Sequence, residues 1–264
     1  MNLEALFEKE LREYFSTHRG IDPDKLDDIA VSVYGQWADK PCAELEGKTP
    51  RAYVSEIDDP NALIAGAMES VERGGEPSPL FAERIIGMPS ALRGLTEILS
   101  DASKPEAVRT AAAQLLGRTE KLPINEFTDL IFDPDTPTEL RETLIDRLKY
   151  EKNIGSVLIE RMAETDGEGR KILAELLVRS GERNDGILEM LLSLLDERGA
   201  LPFAAQLLAE YGDPRAIEKL SELAETCDYA DYTELRNAVE MLGGELTLRL
   251  NWDGDRTYKI IKGE

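Results

Sequence analysis

Residues 92–117 read LRGLTEILSDASKPEAVRTAAAQLLG, and residues 124–149 read INEFTDLIFDPDTPTELRETLIDRLK. In the first stretch Leu92, Leu95, Ile98 and Leu99 recur at helical spacing. Residues 101–105 then break the pattern, and Val108, Ala111, Ala112, Leu115 and Leu116 form a second apolar stripe that Gly117 can stop. A shift of 32 residues carries Leu92, Leu95 and Ile98 onto Ile124, Phe127 and Leu130, and Asp101 and Pro105 onto Asp133 and Pro137. It also carries Val108 and Arg109 onto Leu140 and Arg141, and Ala112 and Leu116 onto Leu144 and Leu148. Nine positions keeping their chemical class in one ungapped register predict two copies of a helix–turn–helix unit.

The pattern continues with shorter turns. Ile154, Val157, Leu158 and Met162 make one stripe, and Ile172, Leu173, Leu176 and Leu177 follow Asp166 and Gly167. Ile187, Leu188, Leu191, Leu194 and Leu195 precede Asp196. Ala204, Ala205, Gln206, Leu207 and Leu208 then repeat Ala112, Ala113, Gln114, Leu115 and Leu116 at an offset of 92, against 96 for the first helix, so this unit's turn is four residues shorter. A last pair opens at Asp213-Pro214 and closes at Gly243-Gly244.

The stretches LTEILSDASKPEAVRTAAAQLLGR and LLSLLDERGALPFAAQLLAEYGDPRAI resemble HEAT repeats of the short bacterial type, including those related to phycobilisome lyase repeats. The resemblance covers roughly residues 89–244 and implies about five helix pairs. In such repeats an Asp after the first helix and an Arg in the second form a ladder between neighbours, which maps onto Asp101 with Arg109, Asp133 with Arg141, and Asp166 with Arg170. The fourth unit departs, with Leu201 where the Arg would fall. The expected fold is therefore all-α: an α-solenoid, or α–α superhelix, over 89–244, a helical cap over 1–88 and a short tail over 245–264.

Within the cap, Asn2 can open a helix carrying Leu3, Leu6, Phe7 and Leu11, Asp22-Pro23 a second, and Asp59-Pro60 a third that Gly74-Gly75 ends. Between them lies WADKPCAELEGKTPRAYV, residues 37–54. It resembles a short W-x-x-x-P-x-x-x-L-x-G-K-T-P-R segment found in bacterial proteins with accessory C-terminal motifs and, more loosely, in toxin-binding antitoxin domains. Physical chemistry accounts for most of it: Gly47 permits a left-handed turn, Thr49 caps a helix, Pro50 takes its first position, and Trp37 and Leu45 pack the loop down. In the tail, Leu246, Leu248, Leu250 and Trp252 alternate, Asp253-Gly254 reads as a turn, and Tyr258, Ile260 and Ile261 follow, which predicts a hairpin or an extended strap.

Fifty-three acidic against 31 basic side chains give a net charge of −22, spread without long like-charge blocks. Such a surface repels phosphate backbones and anionic membranes, so nucleic acid and lipid are not expected partners. No apolar run approaches a membrane span and the first residues lack signal-peptide character, so the expectation is cytoplasmic. A single histidine, His18, removes Ser-His-Asp, Cys-His and paired-histidine metal chemistry, and Gly47-Lys48-Thr49 lacks the upstream glycine of a P-loop. Cys42 and Cys227 form no disulfide framework, and the pairs Asp27-Asp28, Asp58-Asp59 and Asp253-Asp255 lack a calcium-loop pattern.

The sequence therefore predicts a non-catalytic scaffold or adaptor, without cofactor or metal, that binds a protein or peptide, with a basic one favoured by charge. Second helices of HEAT units usually line a concave face. Glu106, Glu139, Glu142, Asp146 and Glu175 are accordingly the candidate acidic strip, and Trp37 is a candidate contact in the loop. The alternatives are a lyase-like or chaperone-like handler of a small molecule and a toxin-neutralising module working through residues 37–54.

Overall fold

The computed structural model describes residues 3–18, 22–152, 154–246 and 252–263, and every regular element among them is helical. The chain divides into two compact units, residues 1–144 and 145–264.

The first unit runs α1 (Leu3–Thr17), α2 (Leu26–Ala38), α3 (Pro50–Ser55), α4 (Pro60–Val71), α5 (Pro79–Ile86), α6 (Ala91–Ser100), α7 (Glu106–Leu116), α8 (Ile124–Phe132) and the start of α9 (Thr138–Leu148), inside which the divide falls. The second continues with α10 (Gly155–Glu160), α11 (Gly167–Ser180), α12 (Asp185–Leu194), α13 (Leu201–Tyr211), α14 (Ala216–Ala224), α15 (Tyr229–Met241) and α16 (Arg256–Lys262).

Among the described residues between 89 and 244 lie the ten helices α6 to α15, and α6 packs on α7, α10 on α11, α12 on α13 and α14 on α15. The inferred period is visible in the helix bounds: α7 and α9 are 11 residues each and are displaced by 32 residues at both ends, as are the ends of α6 and α8 at Ser100 and Phe132. Val108, Ala111, Ala112, Leu115 and Leu116 are all buried, and so are Leu140, Leu144 and Leu148. In α13 the matching Ala204, Ala205, Leu207 and Leu208 are buried while Gln206, like Gln114, faces water. In the second unit α11 packs on α13, α13 on α15 and α12 on α14, so successive pairs meet through corresponding helices.

Sequence chemistry sets the helix starts. Thr49 accepts from the Ala52 amide at 3.1 Å, and Pro50, which has no amide to leave unpaired, takes the first position of α3. Asp59 and Pro60 do the same for α4, with the Asn61 amide 3.0 Å from the Asp59 carboxylate. The expected Asn2 cap lies outside the described residues. Gly117 ends α7 but keeps φ at −65°, so this end is closed by Arg118 and Thr119 amides folding back on Leu115 and Leu116 carbonyls and not by a left-handed glycine.

Two expectations are revised, and packing crosses residues 88/89, where α4 lies against α6 and α7 and α5 against α7. The arginines of the first two pairs brace their own turns through backbone: Arg109 Nε donates to the Leu99 carbonyl at 2.9 Å, and Arg141 Nη2 donates to the Asp133 carbonyl at 2.8 Å and that of Thr136 at 3.0 Å. The aspartates fold onto their own turns, Asp101 accepting from the Ser103 amide and hydroxyl and Asp133 from the Asp135 amide. Only Arg170 reaches the following pair, donating to Ser193 Oγ at 2.5 Å and lying 3.7 Å from Glu197. In the tail, Tyr258, Ile260 and Ile261 lie on α16 and not on a strand; residues 247–251 lie outside the described residues. Asp255 accounts for the helix, accepting from the Tyr258 amide at 3.0 Å and from the first amide of α15, Tyr229, at 3.1 Å.

One polar group in the first unit is held at a cost. Glu4 of α1 places Oε1 in the interior without a hydrogen-bond partner. Burial raises its carboxyl above the ordinary 4.5, with the Ser78 hydroxyl opposing and Glu8 adding to the shift. Around it, Tyr34 Oη lies 3.3 Å from Ser78 Oγ and accepts from the Leu80 amide, so α1, α2 and the start of α5 meet here. A carboxyl whose folded pKa is raised favours the folded state below its unfolded value and loses that increment as pH rises through the folded one. Glu4→Gln is therefore expected to raise Tm at neutral pH, with the gain vanishing at and below about pH 4. An identical gain at both pH values in thermal scans would contradict this origin.

Candidate functional site

The first unit holds a trough of about 830 Å³ bounded by α4 and α6, the end of α3 and the turn into α7. Its floor is apolar, with Ile64, Met68, Phe81 and Val108 buried and Ile57 and Ile98 half-buried. Small residues keep the α4 wall low, since Ala62 and Ala65 stand exposed along it.

Two glycines let the helices approach closely enough to make this floor. A Cβ on Gly66 would lie 2.5 Å from the Phe81 ring, and one on Gly94 would lie 2.8 Å from Ile64 Cδ1 and 3.4 Å from Asn61 Oδ1. The Gly66 contact is shorter than packed side chains tolerate, so α5 seats against α4 because position 66 lacks a side chain, and at Gly94 a side chain would push the end of Ile64 aside.

The rim is acidic. Glu69, Glu72, Glu97 and Asp101 line the trough against a single lining cation, Lys104. Glu69 meets the exposed Arg73, just past the end of α4, at 2.7 Å and Glu97 meets the exposed Arg93 of α6 at 2.8 Å, while Glu72 has no basic partner among the described residues. Such exposed pairs one helical turn apart are worth only about 0.3–0.5 kcal/mol, so an incoming cation can replace either arginine cheaply. Hydrogen bonds from the Ser103 hydroxyl and amide hold Asp101 below its ordinary value, keeping it charged.

No family model, curated protein or solved structure matches this chain.

The residues singled out from sequence lie elsewhere. Glu106, Glu139 and Glu142 are exposed, the last two on one face of α9 opposite the buried Leu140, Leu144 and Leu148. These three belong to the first unit and Asp146 and Glu175 to the second. Asp146 lies 3.7 Å from Lys149 Nζ, and Glu175 sits between Lys149 at 3.3 Å and Arg179 at 3.2 Å with its side chain only 25% exposed. Glu175 is thus a compensated carboxylate that lines a small hollow of about 270 Å³ with Lys171, Ile172 and Phe203. Nothing in the sequence pairs Lys149 with Glu175, because the contact joins helices 26 residues apart.

Trp37 offers no surface to a partner. It is 4% exposed and its ring packs against Phe7 and Tyr34, with centroids 5.3 and 5.4 Å away. The loop it anchors is as the residues foretold: Gly47 at φ 82°, Leu45 buried and Thr49 capping; Glu46 adds a second left-handed residue at φ 58°. Its charges are engaged, Glu44 with Lys9, Lys40 with Glu10, and Arg51 with Asp39 and Glu83. Lys9 and the Cys42 thiol together lower Glu44 to about 2, while burial and Glu44 raise Cys42 away from the reactive thiolate.

Among the described residues no group of three or more His, Cys, Asp or Glu side chains could hold a metal ion. No described helix is long and apolar enough to cross a membrane.

Proposed function

We propose that this chain is a non-catalytic α-solenoid of HEAT-like helix pairs that binds a protein or peptide partner, and that the first unit's trough is the binding surface. The coincidence of helix bounds at a 32-residue displacement supports the repeat reading. The trough carries the binding reading: half-buried Ile57 and Ile98 and exposed Ala62 and Ala65 line it over a nearly covered floor of Ile64, Met68, Phe81 and Val108, and carboxylates edge it. Recognition of a protein segment needs such a floor for affinity and a polar rim for orientation.

The rival reading is a handler of a small molecule, and one observation favours it: about 830 Å³ is within the range of ligand pockets. The two separate by experiment. A photo-crosslinking side chain replacing Ala65, which is exposed and lines the trough, is expected to capture a discrete polypeptide in native extract. The same group replacing Glu189, exposed on α12, is expected to capture none. Capture from neither position, together with a metabolite that stabilises the protein by about 2.7 kcal/mol at 100 times its Kd, would favour the small-molecule reading instead. The toxin-neutralising reading requires residues 37–54 to contact the partner; with Trp37 and Leu45 buried, that contact would fall to exposed residues such as Glu46 and Lys48.

A further inference from the structure

We propose that the trough's occupant is a short amphipathic helix with an apolar stripe and flanking lysines or arginines. This rests on the peptide-binding reading and deepens it by naming the class of partner.

The shape argues for a helix. The described residues contain no strand and so present no sheet edge for an extended peptide to join, whereas a trough running between two helices suits helix-in-groove docking. Ala62 and Ala65 on α4 let a partner's backbone approach to the roughly 8–10 Å axial separation of packed helices. The 12 residues of α4 span about 18 Å, which admits apolar anchors at i, i+3 or i+4, and i+7. Met68 in the floor is unbranched and can adapt to branched or aromatic anchors.

The charge argues for a basic one. Four lining carboxylates face one lining cation, and Glu72 has no basic partner among the described residues. Among the described residues Glu69 is held by the exposed Arg73, just past α4, and Glu97 by the exposed Arg93 of α6, so a partner's cations can take them over. The net charge of −22 supplies the longer-range attraction that speeds encounter with such a segment.

The test uses fluorescence anisotropy with the full chain and three 14-residue probes: an amphipathic Leu/Lys helix, its Leu/Glu counterpart, and a Lys/Ser peptide of equal positive charge without an apolar stripe. The Leu/Lys probe is expected to bind at least tenfold more tightly than either of the others and to weaken as salt rises from 50 to 200 mM. Ala65→Trp, which fills the trough from the exposed face of α4, and the double reversal Glu72→Lys with Glu97→Lys are each expected to weaken binding at least tenfold. Glu189→Lys on the second unit is expected to change it less than twofold. Equal binding of the Lys/Ser peptide, or an equal effect of Glu189→Lys, would reduce the attraction to bulk charge and overturn the proposal. Tight binding of the Leu/Glu probe that Ala65→Trp abolishes would overturn the basic class while leaving the peptide-binding reading standing. No binding by any probe would overturn the proposal, and stabilisation by small organic ligands alone would overturn both.

Discussion

Leu116→Asp and Leu148→Asp are each expected to destabilise the protein by more than about 3 kcal/mol, equivalent to a fall in Tm of roughly 6–12 °C for units of this size. Both leucines are the last residues of their helices, α7 and α9, and their side chains are 0% and 1% exposed. The substitution removes a fully buried aliphatic group, which by itself costs about 2–5 kcal/mol, and places a carboxylate where it has no cation. The cost is limited because the carboxyl can take up a proton, so the variants should recover part of their stability at low pH. Gln114→Asp, exposed on α7 between the buried Ala113 and Leu115, is the matched control and is expected to stay within about 0.5 kcal/mol of the parent. Thermal scans of the three variants decide the matter. Parent-like melting of both leucine variants would mean that the 32-residue register does not describe the packing.

That register was legible because it depends on local chemistry repeated along the chain. A stripe such as Val108, Ala112 and Leu116 records which side of a helix is dry, and a Thr49-Pro50 or Asp59-Pro60 step records where a helix starts, whatever lies around it. The trough left no such record. It is made by α4, α5 and α6 meeting across two missing side chains, Gly66 and Gly94, and a glycine inside a helical stripe reads only as a weak point until its neighbour is known. Charge patterns misled for the same reason: Glu175 looks like one more acidic residue in a string, yet Lys149 and Arg179 compensate it. The helix α16 did carry a signal that alternation concealed. Asp255 stands at its cap and Gly263 at its end with φ 77°, a start-and-stop pair that outweighs a short run of alternating residues.

Trp37→Ala is expected to cost about 3–5 kcal/mol, the range for emptying a buried indole site, and to release the segment that follows it. Phe7 from α1 and Tyr34 from α2 pack on the Trp37 ring, with the two smaller rings themselves edge-to-face at 4.8 Å, so the indole is the common member of a three-ring cluster. The segment after it has few buried anchors of its own: Ala38, Leu45, Pro50 and Val54 are its buried residues, and its ion pairs to α1, Lys9 with Glu44 and Lys40 with Glu10, are largely exposed and individually weak. Removing the indole should therefore loosen residues 39–48 before the unit as a whole unfolds, seen as faster tryptic cleavage after Lys48 below Tm. Trp37→Phe keeps part of the cluster and should cost less, with cleavage closer to the parent's. The alternative, an indole that serves chiefly as a partner contact, makes the opposite forecast: Trp37→Ala would melt and digest like the parent while losing capture of the partner. With the ring 4% exposed and no apolar group free to replace it against Phe7, stability is the property that should fall.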